Sequence, residues 1–384
     1  MRFCIIGWYG TETIGDRAIL DGIFQVLGNI FGNIEIELGS LYPLLTKRTL
    51  LLDNEIFNNN SYKVGINIFD SRCYKELKGK IKNSDYCFMG GGPIMDLEEL
   101  KVIDFAFKYA KKYDKKTFLF GCGLGPLRKE KNMNIVNSIF NNSDLIIFRD
   151  SAAVKISYQL YGDRFADKMH TIADPAILSV GRFLRLQSKN FSREKKLAIN
   201  FRDFTNSGVE EKYKLTSNSL DVLLNKATSL YDGIILVPMH TFFIGGDDRK
   251  ILTEIAFRVN KNNIFVQQKP LSIYDTFSIF YNASACIGMR YHSIVFQALL
   301  SGNNYILDYT NNKTGKIISF INDIDKDGFY KNRYFSLCNS EEEMKIDNIL
   351  EILQSNKCFE YSQKIYENIL NSYRDLFLDR VGTL

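Results

Sequence analysis

Histidine is scarce in this sequence, which has only His170, His240 and His292. The seven cysteines form no CxxC pair, so neither a zinc ribbon nor a thioredoxin-type redox centre is predicted. No apolar run approaches the length that spans a membrane. P-loop, serine-hydrolase elbow and GxGxxG turns are also missing. These absences exclude several common enzyme classes and make each histidine a candidate for function.

The composition is that of an ordinary globular protein with more than one domain. A chain of 384 residues exceeds the usual size of a single core, which favours two domains. The net charge of +5 fits anionic ligands and falls short of a nucleic-acid footprint. Dispersed cysteines in apolar runs are typical of reduced, buried thiols. Together with an N-terminal apolar run too short for a signal peptide, this predicts a cytoplasmic protein.

The most informative stretch is Cys286–Leu299, where an apolar run from Ser284 ends in Arg290-Tyr291-His292 and helical spacing follows. The carboxyl end of a strand in an open α/β sheet is where ligands bind, and helix N-termini there favour anions. A guanidinium suits carboxylate or phosphate, and an imidazole exchanges protons near neutral pH. This predicts an enzyme acting on an anionic substrate. The alternative is a capping cation beside a satisfied polar side chain.

Glycine-rich or charged turns follow four strand-like runs of the first half. These turns are Gly7–Asp16, Gly90–Pro93, Gly121–Pro126 and Arg149–Ser151. Strand, turn and helix repeated in this way predict a parallel sheet with its active edge at the strand carboxyl ends. Any one turn taken alone is also explained by a tight bend.

The second half repeats this α/β pattern after a polar, basic interval at Gly181–Glu194, which we interpret as the interdomain linker. The predicted domains are 1–180, 195–345, and a helical segment 346–384. The last segment carries a candidate apolar face of Tyr361, Ile365, Ile369 and Leu376. This face is expected either to cross back to the first domain or to serve a partner.

Further polar candidates follow the later strands. His240 comes after the strand-like run Gly233–Val237 and is a candidate for catalysis or binding, whereas His170 is interpreted as structural. Asp247-Asp248 either bind a divalent metal or form a solvated turn or helix N-cap, and we predict no metal. Lys313 and Lys316 lie in the loop after the run Tyr305–Tyr309.

Taken in order, these pieces resemble the polysaccharide pyruvyl transferase family. The matching segments are Gly7-Trp8-Tyr9-Gly10, Gly15-Asp16, Gly90-Gly91-Gly92, Gly121–Pro126, Arg149-Asp150, Ala173–Ala176, Pro238 with Asp247-Asp248, and Met289–His292. They extend from the N-terminus to about Lys316, which is most of the chain.

The resemblance implies an α/β fold of two Rossmann-like domains facing across a cleft, as in GT-B glycosyltransferases. It implies an enzyme that uses phosphoenolpyruvate as donor, without a further cofactor. The acceptor would be a sugar of a bacterial cell-surface polysaccharide such as a capsule, or its lipid-linked precursor, and the product a cyclic pyruvate ketal. Such an enzyme is expected in the cytoplasm or at the inner face of the membrane, with no nucleic-acid partner.

By motif match, His292 is the expected general acid, and Asp16 would orient or deprotonate an acceptor hydroxyl. Arg290 and Arg149 would hold carboxylate and phosphate, with a weaker third cation. The remaining expected substrate-binding residues are Lys313, Lys316, His240, Gly10, Gly91, Gly92 and Gly123, the glycines through backbone N–H groups.

The first turn departs from the family pattern, which usually has asparagine before Gly-Asp and an acidic residue after it. Glu12, Thr13 and Arg17 occupy those places here. Two other functions stay open: a GT-B glycosyltransferase that uses a nucleotide sugar, and a non-catalytic glycan-binding relative.

Overall fold

The chain forms two compact α/β units. The computed structural model describes residues 1–58, 61–187, 192–203, 217–311, 313–338, 344–362 and 364–381. One unit comprises Met1–Arg182 with Gln363–Leu384, and the other comprises Phe183–Ser362.

A parallel sheet forms the centre of the first unit. Its strands are β1 (Arg2–Ile6), β2 (Ile34–Ser40), β3 (Val64–Asp70), β4 (Tyr86–Gly90), β5 (Pro93–Ile94), β6 (Lys116–Leu124), β7 (Leu145–Phe148) and β8 (Met169–Thr171). They pair in the order β3-β2-β1-β4-β6-β7-β8, and β5 pairs with β6. β4 and β7 are buried along their whole length, as expected for parallel strands covered by helices on both faces.

Helices follow most of these strands. They are α1 (Ile14–Phe31), α2 (Pro43–Leu52), α3 (Asn54–Phe57), α4 (Tyr74–Lys82), α5 (Leu100–Lys112), α6 (Glu130–Asn141), α7 (Ser151–Tyr161) and α8 (Ala176–Leu186), with a 3₁₀ helix at Gly162–Lys168. Because the strands are parallel, the turns that follow β1, β4, β6 and β7 lie at one edge of the sheet.

The second unit is built on the same plan. Its strands are β9 (Glu194–Asn200), β10 (Gly233–Leu236), β11 (Ile264–Val266), β12 (Ala283–Gly288), β13 (Asn304–Asp308) and β14 (Tyr334–Ser336). All are parallel, in the order β11-β10-β9-β12-β13-β14. Its helices are α9 (Ser217–Ala227), α10 (Asp248–Val259), α11 (Ile273–Asn282), α12 (Tyr291–Leu300), α13 (Lys316–Ile324) and α14 (Ile346–Gln354), with a 3₁₀ helix at Phe329–Asn332. The predicted class of two Rossmann-like α/β domains is therefore confirmed.

The final helix, α15 (Lys364–Val381), belongs to the first unit, whereas α14 belongs to the second. Phe377 is fully buried against Phe88 and Phe118, with ring centroids 5.8 and 4.9 Å away. Of the predicted apolar face of this segment, Ile369 is buried, whereas Tyr361, Ile365 and Leu376 are only partly buried. The buried residues of α15 are Tyr366, Ile369, Tyr373 and Phe377.

The predicted linker is also corrected at both ends. Its first residues, from Gly181, form the last turns of α8, which ends at Leu186, and its last residue begins β9. This end of α8 carries both buried residues, Arg182 and Phe183, and the exposed Leu186. Polarity alone does not distinguish an exposed helix end from a loop.

All seven cysteines are free thiols. Cys4, Cys87, Cys122 and Cys286 lie on β1, β4, β6 and β12 and are fully buried, as their apolar surroundings predicted. They therefore act as small core side chains.

Phe377→Ala should lower the free energy of unfolding by about 3–5 kcal/mol, since it leaves a cavity among stacked aromatic rings. The matched control is Phe257→Ala, because Phe257 is 84% exposed. Urea unfolding followed by circular dichroism measures both variants. Equal losses of stability in the two would contradict the buried position of α15.

Candidate functional site at the strand carboxyl ends

In the second unit, β9, β10, β12 and β13 end at one edge and bring polar residues from four chain segments together. Asn200 ends β9, His240 follows β10, Arg290 follows β12, and Tyr309 follows β13. Arg290 and His240 were expected here from the sequence. Asn200 and Tyr309 were not, although each occupies the same position relative to its strand.

Arg290 forms a two-pronged pair with Asp248, the first residue of α10. Its Nε and Nη2 donate to the carboxylate at 2.6–2.9 Å, and Nη2 also donates to the Gly246 carbonyl at 3.1 Å. Asp248 is 1% exposed. Burial lowers the pKa of the guanidinium, but the Asp248 charge outweighs this and raises it. The third nitrogen, Nη1, lies outside this pair.

Asn200 fixes the backbone from which Arg290 projects. Its Oδ1 accepts the Arg290 backbone N–H at 3.0 Å, and its Nδ2 donates to the Val237 carbonyl at 2.9 Å. Asn200 is fully buried. The amide therefore ties the ends of β9, β10 and β12 to one another and sets the direction of Arg290.

His240 is buried beside Gly245. A Cβ added at Gly245 would lie 3.3 Å from the imidazole Cε1. Burial, followed by the positive charge of Arg290, lowers the pKa of His240 to about 4, although Asp248 opposes the shift. The imidazole is therefore neutral at physiological pH and is a poor general acid. Its backbone N–H donates to Asp248 at 3.2 Å, which links it to the Arg290 pair.

His292 is the second residue of α12 and is partly buried. Its ring stacks near Phe296, with centroids 5.8 Å apart, and meets the Tyr291 ring edge-on at 5.1 Å. These aromatic neighbours restrict the orientation of the imidazole. The helix begins at this junction, so the first-turn N–H groups point toward the same edge.

Two more cations lie at this edge. The Arg202 guanidinium carbon is 4.5 Å from the centre of the Tyr309 ring, and the Lys316 Nζ is 5.7 Å from the centre of the Tyr291 ring. Lys313 is exposed. Of the two predicted lysines, Lys316 is therefore the one that contacts a residue of this edge, Tyr291, because Lys316 is the first residue of α13.

The adjacent carboxylates Asp247 and Asp248 have different partners. Asp247 caps α10, accepting the Arg249 backbone N–H at 3.0 Å, and its carboxylate pairs with the Arg249 side chain. Asp248 pairs with Arg290. Of the alternatives for Asp247-Asp248, the helix N-cap is observed, and Asp247 forms it. Within the described ranges, no three His, Cys, Asp or Glu side chains are grouped to hold a metal.

In the first unit, Arg149 follows β7 and is almost completely buried. Its Nη1 lies 3.2 Å from Asp174, and its Nε lies 3.5 Å from Asp150. A Cβ at Gly123 would lie 3.2 Å from Nη2, so the glycine leaves room for the guanidinium. The structure thus brings Arg149 and Gly123 together, as the shared strand edge predicted.

Asp16 lies on the first turn of α1, beside Gly92 and Trp8. A Cβ at Gly92 would come within 2.4 Å of the Trp8 ring and 3.0 Å of the Asp16 Oδ1. Gly92 also has φ +73°, a conformation that favours glycine. Close packing within the protein therefore accounts for this glycine without a ligand.

Two other predicted glycines have similar surroundings. Gly10 has φ +89°, and a Cβ added there would lie 2.8 Å from the Ser40 Oγ. Gly91 has φ +90°, and a Cβ added there would lie 3.2 Å from the Tyr9 Oη. Protein atoms already fill the space beside both, so their substrate contacts stay a prediction.

Two of the residues at which the first turn departs from the expected pattern, Glu12 and Arg17, form ion pairs within the first unit. Arg17 bonds Asp53 through Nε at 2.7 Å and through Nη2, and both side chains are buried. Glu12, at φ +57°, lies 2.8 Å from the Arg48 Nη2. The turn is thereby tied to α2 and to the residue that precedes α3.

A cavity of about 20 Å³ adjoins this turn and has room for about one water molecule, far less than a sugar ring. It is lined by Trp8, Tyr9, Gly10, Thr11, Glu12, Thr13, Asp16, Arg17, Leu20, Thr46, Thr49, Leu50, Asp53 and Phe57.

The family model for polysaccharide pyruvyl transferases matches residues 14–309, which is most of the chain. The chain belongs to the polysaccharide pyruvyl transferase family. No curated protein sequence matches it.

Solved structures with different activities share its architecture. Staphylococcus aureus MnaA, solved with UDP, has a TM-score of 0.58 at 11% identity, covering 100% of this chain and 98% of that one. The Methanocaldococcus jannaschii UDP-GlcNAc 2-epimerase, solved with UDP-GlcNAc and UDP, has a TM-score of 0.56 at 13% identity, covering 97% and 99%. An α-glucosyltransferase solved with UDP and DNA has a TM-score of 0.50 at 9% identity, covering 99% and 95%. At such identities the likeness shows the fold alone, that of GT-B glycosyltransferases and related epimerases.

None of the helices in the described part of the chain is both long and apolar enough to cross a membrane.

The low pKa of His240 predicts a pH dependence of stability. The unfolded imidazole has a pKa of 6.5 and the folded one about 4, so the unfolded state binds more protons between these values. The stabilisation is fully present above pH 6.5 and is lost as the pH falls toward 4. Over this range, wild type should lose about 2–3 kcal/mol more unfolding free energy than His240→Gln.

Urea unfolding at pH 8, 6.5, 5 and 4 measures this difference. The pH 8 values serve as reference, because the His240 imidazole of wild type is neutral there in both the folded and the unfolded state. Parallel pH profiles for the two proteins would show that His240 is not buried in its neutral form.

Proposed function

We propose that this protein transfers pyruvate from phosphoenolpyruvate to a sugar, forming a cyclic ketal and releasing phosphate. The observation that carries the proposal is the cation cluster of the second unit, by which we mean Arg202, Arg290 and Lys316. It lies at the strand edge from which His292 also projects. Membership of the polysaccharide pyruvyl transferase family supports the same reaction.

The donor carries a carboxylate and a phosphate, and the cation cluster suits both groups. Arg202 and Arg290 each offer a planar set of N–H donors, and Lys316 adds a point charge. The first turns of α12 and α13 begin at the same edge and add backbone N–H groups that favour anions.

The cations differ in how they are held. Arg290 is bonded to Asp248, so its charge is largely balanced and its main contribution is a fixed direction for Nη1. Arg202 and Lys316 contact aromatic rings and keep more of their charge available to a ligand. We therefore assign donor positioning to Arg290, and charge neutralisation to the other two cations.

His292 is proposed as the general acid. Its imidazolium gives a proton to the methylene carbon of phosphoenolpyruvate, and positive charge develops at C2. One acceptor hydroxyl adds to C2, and the proton it loses restores the imidazolium. The C2–O bond to phosphate then breaks, a second hydroxyl adds to C2 to complete the ketal, and its proton leaves with the phosphate as hydrogen phosphate. Arg149 as an anion contact and Asp16 as a partner of an acceptor hydroxyl stay predictions for the first unit.

The acceptor proposed is a sugar of a bacterial cell-envelope polysaccharide or of its lipid-linked precursor. The proposed setting is the cytoplasm, at the inner face of the membrane for a lipid-linked acceptor. The proposed reaction uses no metal or other cofactor.

Donor binding is tested by calorimetry with phosphoenolpyruvate, UDP and ADP. Phosphoenolpyruvate should bind saturably, and Lys316→Gln should raise its Kd at least about tenfold through loss of a charge-assisted contact. The matched control is Lys313→Gln, which removes an exposed lysine three residues earlier and should change the Kd less than about twofold. Binding of a nucleotide but not of phosphoenolpyruvate would favour a glycosyltransferase instead.

The role of His292 is tested by phosphate release in the presence of a sugar acceptor. His292→Gln should lower kcat by about 10²–10⁴-fold, since the variant cannot protonate the methylene carbon. The Kd for phosphoenolpyruvate should stay within about threefold, because the cation cluster is intact. Turnover at the wild-type rate would remove His292 from the mechanism.

A further inference from the structure

Helices α4 and α5 of the first unit concentrate the positive charge of the chain. Each has four lysines and one acidic residue, so each has a net charge of +3, and together they exceed the net +5 of the whole chain. None of these residues has a part in the mechanism above. Charge of one sign on two neighbouring helices creates a field that attracts anions.

The eight lysines of these helices fall into two groups. Three of them pair with carboxylates, and these pairs are Lys80–Glu37, Lys108–Asp104 and Lys111–Asp144. The other five are exposed, and within the described ranges of the chain none of them forms an ion pair: Lys75, Lys78, Lys82, Lys101 and Lys112. Their charge is therefore available to a partner.

A row of aromatic rings lies beside the α4 lysines. Phe105, Tyr109 and Tyr113 recur at every fourth residue, with successive ring centroids 5.9 and 4.9 Å apart. The Lys78 Nζ lies 5.6 and 5.7 Å from the centres of the first two rings, and the Lys82 Nζ lies 5.7 Å from the centre of the third. These contacts hold the two ammonium groups over the rings.

Tyr74, the first residue of α4, extends this row. Its ring centroid lies 4.5 Å from that of Phe105, and the side chain is 44% exposed. The other three rings are partly buried against the core. Partly exposed tyrosines have an apolar body and a polar tip, which suits the boundary between lipid chains and water.

We propose that the α4–α5 surface binds the anionic face of a lipid membrane. By this surface we mean the five unpaired lysines together with Tyr74, Phe105, Tyr109 and Tyr113. The ammonium groups contact headgroup phosphates, and the tyrosines lie at the level of the headgroups. Clusters of four to eight basic residues are sufficient for such binding.

The arrangement of the rings favours a membrane over a nucleic acid. Proteins that bind single strands offer open aromatic faces on which bases stack. Here Lys78 lies over the rings of Phe105 and Tyr109, and each ring packs against its neighbour. Headgroup phosphates require only that the lysines are exposed, with no fixed spacing between them.

Binding of this surface to lipid does not depend on the proposed reaction. The purpose that we assign to it, which is to bring the enzyme to a lipid-linked sugar acceptor, rests on the proposed function.

The first measurement is flotation of the full chain with vesicles of phosphatidylcholine, with and without about 30% phosphatidylglycerol. Wild type should float with the anionic vesicles at about 50 mM NaCl, and about 500 mM NaCl should release most of it. It should not float with the neutral vesicles. Lys78→Gln/Lys82→Gln should weaken the partition at least about tenfold, because each lysine near an anionic surface contributes about fivefold.

The matched control is Lys261→Gln/Lys331→Gln, which removes the same charge from two exposed lysines of the second unit. Its partition should stay within about twofold of wild type. Equal losses in the two double variants would assign the binding to overall charge and overturn the proposal. Failure of wild type to float with the anionic vesicles would also overturn it.

The second measurement maps the bound face on wild type and does not depend on the folding of a variant. A water-soluble amine-reactive reagent is added with and without anionic vesicles, and mass spectrometry gives the rate at each lysine. The five unpaired lysines should react at least about threefold more slowly with vesicles, because headgroups cover them. Lys261 and Lys331 should keep their rates, and protection that spares the α4–α5 surface would contradict the proposal.

A short DNA or RNA duplex tests the other polyanion. Duplex binding at about 150 mM NaCl that Lys78→Gln/Lys82→Gln abolishes, without vesicle binding, would assign the surface to nucleic acid instead.

Calorimetry with phosphoenolpyruvate separates this inference from the proposed function. Lys78→Gln/Lys82→Gln should bind phosphoenolpyruvate with a Kd within about twofold of wild type, because the cation cluster of the second unit is intact. Vesicle binding without phosphoenolpyruvate binding would leave the α4–α5 surface standing and contradict the proposed donor. Phosphoenolpyruvate binding without vesicle binding would support the donor and overturn the role of this surface.

Discussion

The buried carboxylate of Asp248 holds the polar edge of the second unit in place. It accepts two bonds from Arg290 Nε and Nη2, and it accepts the backbone N–H groups of Met239 and His240. A carboxylate that is 1% exposed must be satisfied in this way, because an unpaired buried charge costs about 3–5 kcal/mol. Asp248 and Asn200 together set the direction of Arg290, whereas burial and the Arg290 charge keep His240 neutral against the opposing charge of Asp248.

The three cations at this edge have different partners. Asp248 neutralises Arg290, whereas Arg202 lies over the Tyr309 ring and Lys316 lies over the Tyr291 ring. Because Arg290 is held in place by Asp248, and Arg202 and Lys316 contact aromatic rings, the cation cluster is preorganised for an anion. This arrangement suits a donor with two acidic groups better than a neutral sugar.

The first unit shows how a family pattern can change without loss of the fold. Arg17 and Glu12 occupy places where other residues are usual, and each has a local partner, Asp53 and Arg48. Arg149 and Asp174, two of the residues that carry the resemblance, are paired with each other. The departures are thus accommodated by ion pairs within the first unit, and Arg149 is paired separately with Asp174.

The sequence by itself determined the architecture, because buried parallel strands are apolar runs and the turns after them carry glycine or charge, as at Leu145–Phe148 and Arg149. It missed the edge strand Val64–Asp70, which is only partly buried and so lacks such a run. Tertiary structure alone decided the partners. Asp248 lies 42 residues from Arg290, and the Tyr309 ring lies under the Arg202 guanidinium, which comes from the segment after β9. Side-chain pairing across strands leaves no periodic signal in a single sequence, and charge shifts depend on distances that only the fold sets.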